Sequence, residues 1–355
     1  MNTDQLKEFR PEPLPVNGDY RVFNNSDDVK EIAVELSEGN LITLGNHYPS
    51  GLKIVSELKN VLSDGETNVS FDDYRSFRSV YHEASNRLLV PVKDNKVALK
   101  KSPEIGWLEK LYPDQSDFYL PFPKIQGLNS AWQWYINGID YPGVPGKIHP
   151  WYGVYFPTRK DHLYLFNYWL RKYSGPKELA IDIGTGCGVL AFQMMNSGID
   201  KVEASDLNPV AVHSAAESAK SLGFEDRMTV YESDLFENVE NSAPLIVFNP
   251  PWLPVKTNAE GLDKAIYFEP GLFERFFEEA VDHMTEDGKL ILIFSNLGRE
   301  EGQIDIHPVE DELENGSRFK KVKLIKRKAE PSSGKTRRRD NRKNEYVELW
   351  ELGKR

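Results

Sequence analysis

Residues 180–188 read AIDIGTGCG, an apolar strand end that runs straight into three alternating glycines. Leu179–Ile183 is apolar except for Asp182, as expected of a strand buried on both faces. Glycine at 184, 186 and 188 lets the backbone turn sharply and approach a ligand closely. Gly188–Ser197 then continues with the periodicity of a helix, whose first turn would offer free N–H groups at its positive end. The spacing is G-x-G-x-G, and Val189 stands where a dinucleotide fingerprint has its third glycine. Asp182, two residues before the first glycine, suits a cationic amino group and would repel a pyrophosphate.

Outward from this loop, strands and helices alternate. Asp161–Tyr173 is an amphipathic helix, and Val202–Ser205, Met228–Glu232, Leu245–Phe248 and Lys289–Ser295 read as strands. Pro209–Leu222 and Phe273–Met284 read as helices between them. This is the grammar of a parallel sheet with crossover helices. Phe319–Ile325 and Tyr346–Leu352 are late strands that suit an antiparallel edge hairpin. Asp206 ends the second strand, where it would accept from ribose hydroxyls; Asp234 follows the third, where it would accept from an adenine amino group. Each alone also fits a turn-forming aspartate. Three acids at the carboxyl ends of successive strands point to a ligand crevice, and Thr185, Leu207, Leu235 and Asn249 are assigned to it with them.

The fourth strand ends in Asn249-Pro250-Pro251-Trp252. An amide or aromatic amine nitrogen is planar and a poor nucleophile. Two acceptors holding its N–H bonds would turn it toward an electrophile, and positioning of this kind supplies several kcal/mol. The Asn249 side-chain oxygen and the Pro250 carbonyl are the candidates. The prolines stiffen the loop, and Trp252 suits stacking on a planar group. A Pro-Pro turn that merely ends a strand is the plainer alternative.

With both loops in hand, residues about 151–300 resemble the class I S-adenosylmethionine methyltransferases. Asp182 and the three glycines match that family's first motif, Asp206 its ribose-binding acid and Asp234 its adenine-side acid. Asn249–Trp252 resembles the Asn-Pro-Pro-Tyr loop of the methyltransferase small-domain group, within it the release-factor glutamine methyltransferases most. The resemblance implies a Rossmann-like, doubly wound α/β sheet, mostly parallel, behind a mainly helical N-terminal domain for substrate recognition. It implies S-adenosylmethionine as cofactor and N-methylation as the activity. Gly153–Arg159 resembles the segment leading into that catalytic domain, so Phe156, Pro157, Thr158 and Arg159 are substrate-side candidates; a β segment covering the sheet is the alternative. The chain departs from the pattern at Trp252, where tyrosine is usual, and at Ser218, where asparagine is usual. Cys187 falls at a variable position and is given no role.

Residues 1–145 read as one unit and 151–355 as another. Asp27 or Asp28 is placed to cap a helix through about Leu36. Leu52, Val55, Leu58 and Leu62 recur at helical spacing over about Ser50–Ser63, and Phe71–Asn86 follows as a third helix. Arg87–Val92 pairs with Lys96–Leu99 as a short hairpin. The stretch Asn129–Ile139 carries Trp132, Trp134 and Tyr135, read first as core and second as substrate contact. Tyr141–Pro150, with three prolines and two glycines, reads as a linker.

The 355 residues are 39% apolar and 12% aromatic, ample for packed cores. No apolar run approaches the roughly 20 residues of a membrane helix, and Met1–Arg10 lacks the apolar stretch of a signal peptide. The single cysteine excludes an internal disulfide, and a cytoplasmic setting is expected. Seven histidines are scattered without metal-ligand spacing, so no metal is expected. The net charge of −11 contrasts with the basic run Lys320–Lys343, which includes Lys326-Arg327-Lys328 and Arg337-Arg338-Arg339. That run suits phosphates of RNA or DNA, an acidic protein, or plain solvation; no aromatics interleave its arginines. The favoured acceptor is a glutamine-like amide or other side-chain nitrogen of a protein or peptide. The alternatives are an exocyclic base amine of RNA or DNA, a small molecule, and cofactor binding without catalysis.

Overall fold

Seven strands build the sheet of the C-terminal unit, and the strands that are apolar on both faces lie at its centre. They are β1 (Leu179–Ile183), β2 (Lys201–Asp206), β3 (Met228–Glu232), β4 (Ala243–Phe248), β5 (Met284–Ser295), β6 (Phe319–Lys328) and β7 (Tyr346–Lys354). In this computed structural model their order is β3-β2-β1-β4-β5-β7-β6. The first five run parallel, and β7 pairs antiparallel with both β5 and β6. The expected hairpin is present, with its later strand on the inside. Every residue of β4 is buried, and at the edge β3 is partly exposed. The structure describes residues 3–63, 71–255, 265–330 and 344–355. Much of the run Lys320–Lys343, including Arg337–Arg339, lies outside the described residues.

Four helices frame the sheet: α1 (Asp161–Leu170), α2 (Val189–Asn196), α3 (Pro209–Ser221) and α4 (Leu272–Asp282). The Asn208 side chain accepts from the Val210 N–H at 2.9 Å and Pro209 follows, which fixes the start of α3. Helix α4 turns Phe273, Phe276, Phe277 and Ala280 into a core shared with Ile246, Phe248, Leu292 and Phe294. Parallel register aligns the strand ends: Phe248 stands opposite Ile183, Ile183 opposite Ser205, and Glu232 opposite Asp206. The order reverses between β1 and β4, and open sheets bind ligands at the carboxyl ends beside such a reversal.

The two compact units divide between Ile136 and Asn137. Tyr141–Pro150, read from sequence as a linker, belongs with the C-terminal unit and includes part of a two-stranded hairpin, Ile139–Asp140 with Lys147–Ile148. Its carbonyls are captured by α2: Gln193 donates to Pro142 O at 2.5 Å and Asn196 to Gly143 O at 3.0 Å. Gly153–Arg159 contains no strand.

Helices dominate the N-terminal unit. Val29–Ser37 is capped by Asp28, whose side chain accepts from the Lys30 N–H at 2.7 Å; Tyr48–Leu62 and Phe71–Asn86 follow. Beside them lies a five-stranded sheet that the sequence reading saw only as one hairpin. Arg21–Phe23, Ile42–Leu44 and Leu88–Lys93 pair in parallel; Lys96–Val97 and Phe118–Pro121 add antiparallel to the last. Trp132 and Tyr135 are half-buried and pack on the fully buried Trp107, with ring centroids 5.6 and 4.7 Å away, whereas Trp134 is 43% exposed, so the core reading does not hold for that ring.

Candidate active site

The loop after β1 is held by hydrogen bonds from three sides. Gly184, Gly186 and Gly188 have φ of +63°, +55° and +84°, values that L side chains rarely adopt. The Thr185 N–H donates to Ser205 O at 2.9 Å, and the Gly186 N–H to Asp206 Oδ2 at 2.8 Å. Asp206 Oδ1 accepts from the Asn208 N–H at 2.9 Å. A carboxylate offers about four acceptor positions, so Asp206 keeps capacity after both contacts. Leu207, next to it, is 58% exposed.

Asp182 is fully buried at the end of β1. Its Oδ2 accepts from the Thr185 hydroxyl at 2.6 Å, while Oδ1 has no hydrogen-bond partner among the described residues. Burial lifts its pKa to about 7, against the lowering pull of the Thr185 hydroxyl and the Ala191 backbone N–H. A buried carboxylate with one oxygen unpaired is suited to a cationic partner. Cys187 is buried as well, which pushes its thiol up to about 12 and leaves it unreactive.

Asp234 turns outward to Arg275 of α4, with guanidinium contacts of 2.9 and 3.3 Å. Leu235 has a φ of +51°, uncommon for a residue other than glycine. Its carbonyl accepts from the hydroxyls of Ser205 and Ser233 at 2.9 and 3.1 Å, which holds that turn.

Asn249 follows β4, directly beside the glycine loop by register. Its Oδ1 accepts the indole N–H of Trp252 at 3.1 Å. Beyond Pro250 and Pro251, Leu253–Pro254 pairs with Tyr267–Phe268, which anchors the far side of the loop. The Trp252 ring meets the edge of His162, at 5.6 Å and 86°. His162, in the first turn of α1, is fully buried with neither ring nitrogen hydrogen-bonded among the described residues, and burial lowers its pKa to about 4. The sequence reading missed His162, since nothing in its neighbours marks it.

The Gly153–Arg159 segment lies over the glycine loop. A Cβ on Gly186 would meet Tyr155 O at 3.2 Å, Asn208 donates to Gly153 O at 3.0 Å, and Tyr141 donates to Pro157 O at 2.9 Å. Arg159 is engaged by the buried Glu345 through two contacts of 3.0 Å and by Asp161 at 3.4 Å. Phe156, Pro157 and Thr158 belong to the same covering segment.

Residues 169–319 match the methyltransferase small domain. A protein of Methanocaldococcus jannaschii, provisionally named a protein N5-glutamine methyltransferase, is 30% identical over 190 residues, 51% of this chain and 92% of that protein. The chain belongs to the methyltransferase small-domain family. It is an S-adenosylmethionine-dependent methyltransferase. The release factor glutamine methyltransferase of Lactococcus lactis is 29% identical over 135 residues, 35% of this chain, and the chain spans about half the length of that relative, 48%. Among solved structures, a ribosomal protein L11 methylase from Lactobacillus delbrueckii subsp. bulgaricus gives a TM-score of 0.41 at 19% identity, covering 61% of this chain and 91% of that one. The cofactor of this methyltransferase fits the residues present: the unpaired Asp182 Oδ1, the spare acceptor capacity of Asp206 and the exposed Leu207 answer a cationic, hydroxyl-bearing, partly apolar ligand. Among the described residues, no cluster of three metal-ligating side chains occurs and no helix is long and apolar enough to cross a membrane.

Proposed function

We propose that this methyltransferase modifies a side-chain amide nitrogen of a protein or peptide. One observation carries the reading: Asn249, its amide oxygen fixed by the Trp252 indole, stands beside the glycine loop at the strand-order reversal. The bound cofactor supplies an electrophilic methyl on a sulfonium. Asp182 holds the cofactor's amino group, the backbone of Gly184, Thr185, Gly186 and Gly188 follows its chain, and Asp206 takes the ribose hydroxyls. Leu207 and Leu235 flank the adenine, with Asp234 at its amino group.

Asn249 Oδ1 and the Pro250 carbonyl accept the two N–H bonds of the substrate nitrogen and turn its lone pair toward the methyl. Pro251 keeps the turn rigid and Trp252 covers the planar group. As the N–C bond would form, the methyl's bond to the cofactor sulfur would break to leave a neutral thioether, and the nitrogen, made acidic, would lose its proton to water without a dedicated base. Phe156–Arg159 cover the cofactor side, and residues 1–145 recognise the substrate. The glutamine-methylating names of two relatives support this choice of acceptor. The reading sets the reaction in the cytoplasm, in keeping with a single, buried cysteine.

The test is transfer of a labelled methyl group into cell extract, separated into protein, nucleic acid and small molecules. Label in a protein band, mapped by mass spectrometry to an amide side chain, is expected. Label confined to nucleic acid would replace this reading with methylation of a base amine, the alternative supported by the basic strand β6.

A further inference from the structure

Two exposed tyrosines stand beside the basic edge strand, although they lie far from it in sequence. Tyr164 and Tyr168 of α1 are 44% and 52% exposed. They are four residues apart, so they share one helix face about 6 Å apart along the axis. Helix α1 packs on β6 and β7. The Arg327 guanidinium of β6 lies over the Tyr164 ring at 5.1 Å, and Lys172 lies over the Tyr168 ring at 4.1 Å. Lys172 also donates to the Tyr168 hydroxyl at 2.5 Å, and it and Lys323 draw that phenol below its ordinary pKa. Strand β6 carries Lys320, Lys321, Lys323, Lys326, Arg327 and Lys328, in a chain whose net charge is −11.

Two carboxylates lie along this strip as cross-strand neighbours of its lysines, Glu351 of Lys323 and Glu348 of Lys326, and a third acid reaches its end. Glu351 accepts the Trp169 indole N–H at 2.9 Å, and Glu348 holds Lys326 at 2.7 Å. Glu330 reaches Arg327 at 3.7 Å, a largely exposed pair worth little against a polyanion. On its buried side, the first turn of α1 meets Trp252 through His162.

We infer that Tyr164, Tyr168, Lys172, Lys323 and Arg327 form a docking strip for a single-stranded polynucleotide. Cations alternating with exposed aromatic faces are what such a strand requires: charge along its phosphates, and rings or guanidinium planes on which bases stack. The sequence reading held that no aromatics interleave the arginines. The fold supplies them from α1. The inference is independent of the acceptor, because a strand on this strip would present one of its own bases or a protein bound to it.

The experiment is fluorescence anisotropy of a labelled 12-nucleotide oligouridine titrated with the full chain at about 50 mM salt and upward. Saturable binding that weakens with salt is expected. The double variant Tyr164→Leu/Tyr168→Leu is expected to bind about tenfold or more weakly with an unchanged salt slope. The double variant Lys323→Gln/Arg327→Gln is expected to flatten the slope by about 0.7 per charge removed. Cofactor affinity of every variant serves as the folding control and stays unchanged. No binding at low salt would overturn the inference. So would full affinity in the tyrosine variant, or binding lost only on deletion of residues 331–343.

Discussion

The indole N–H of Trp252 donates to the Asn249 side-chain oxygen across 3.1 Å, closing a ring of four residues around two prolines. The contact fixes which end of the amide faces the crevice, since the oxygen is the end that accepts. It leaves the second lone pair of that oxygen for a substrate N–H. Replacing tyrosine, usual in this loop, by tryptophan is thereby given a use. Trp252→Phe keeps a ring and removes the donor, so kcat is expected to fall about threefold to tenfold, the worth of one hydrogen bond. Asn249→Ala is expected to lower kcat by about 100-fold or more while cofactor affinity, measured by calorimetry, changes little. Full turnover in Asn249→Ala would remove the loop from the mechanism.

Asp182 leads to a prediction about protons. Its pKa of about 7 means that the carboxyl is partly protonated at neutral pH. A cationic amino group beside the unpaired Oδ1 favours the ionised form, so cofactor binding near pH 6.5 should release a proton, and affinity should rise as pH is raised through 7. Calorimetry in two buffers of different ionisation enthalpy measures that release directly. For stability the sign is set by the same shift. Between the unfolded value near 4 and about 7 the folded state binds more protons, so the contribution of Asp182 is lost as pH rises through 7. Asp182→Asn, without cofactor, is expected to melt higher than the parent at pH 8. An equal or lower melting temperature would mean that the buried carboxylate is better compensated than its contacts indicate.

His162 behaves in the opposite sense. Burial lowers its pKa from 6.5 to about 4, so between those values the unfolded chain binds the extra proton. Stability is lost as pH falls through that window. His162→Phe preserves a ring against Trp252 and does not titrate. Its melting temperature is expected to gain on the parent as pH is lowered from 7 to 5. A difference that stays constant with pH would show that the ring is hydrated or paired in solution.

The parts of the fold legible in sequence are those set by local pattern. Leu179–Ile183 has the expected limits because a strand inside a parallel sheet declares itself by a short apolar run, and the edge strand Met228–Glu232 because its Thr229, Val230 and Tyr231 are β-formers. The Asp28 cap is likewise a local rule. Arg21–Phe23 and Ile42–Leu44 have three residues each, too few to display a period, and they become strands only through the sheet, Arg21–Phe23 pairing with Ile42–Leu44 and Ile42–Leu44 with Leu88–Lys93. At the candidate site the strand-end residues were legible and their partners were not. Glu345 beside Arg159 and Arg275 beside Asp234 are meetings of distant segments, 186 and 41 residues apart, created by tertiary packing.

The Asp234–Arg275 pair supplies a prediction that separates role from stability. Both side chains are about half exposed, so the pair adds at most about 1 kcal/mol to the fold. Asp234 is assigned to the adenine amino group, and in that role the Arg275 guanidinium competes for the same oxygens. Arg275→Ala is therefore expected to leave the melting temperature nearly unchanged and to tighten cofactor binding a few-fold, with Asp234→Ala weakening it. A double variant settles the coupling: if Asp234 acts on adenine, Arg275→Ala has no effect on affinity once Asp234 is removed. Should Arg275→Ala weaken cofactor binding in the parent, the guanidinium would be holding Asp234 in place rather than occupying it, and its position on α4 would make it part of the cofactor site.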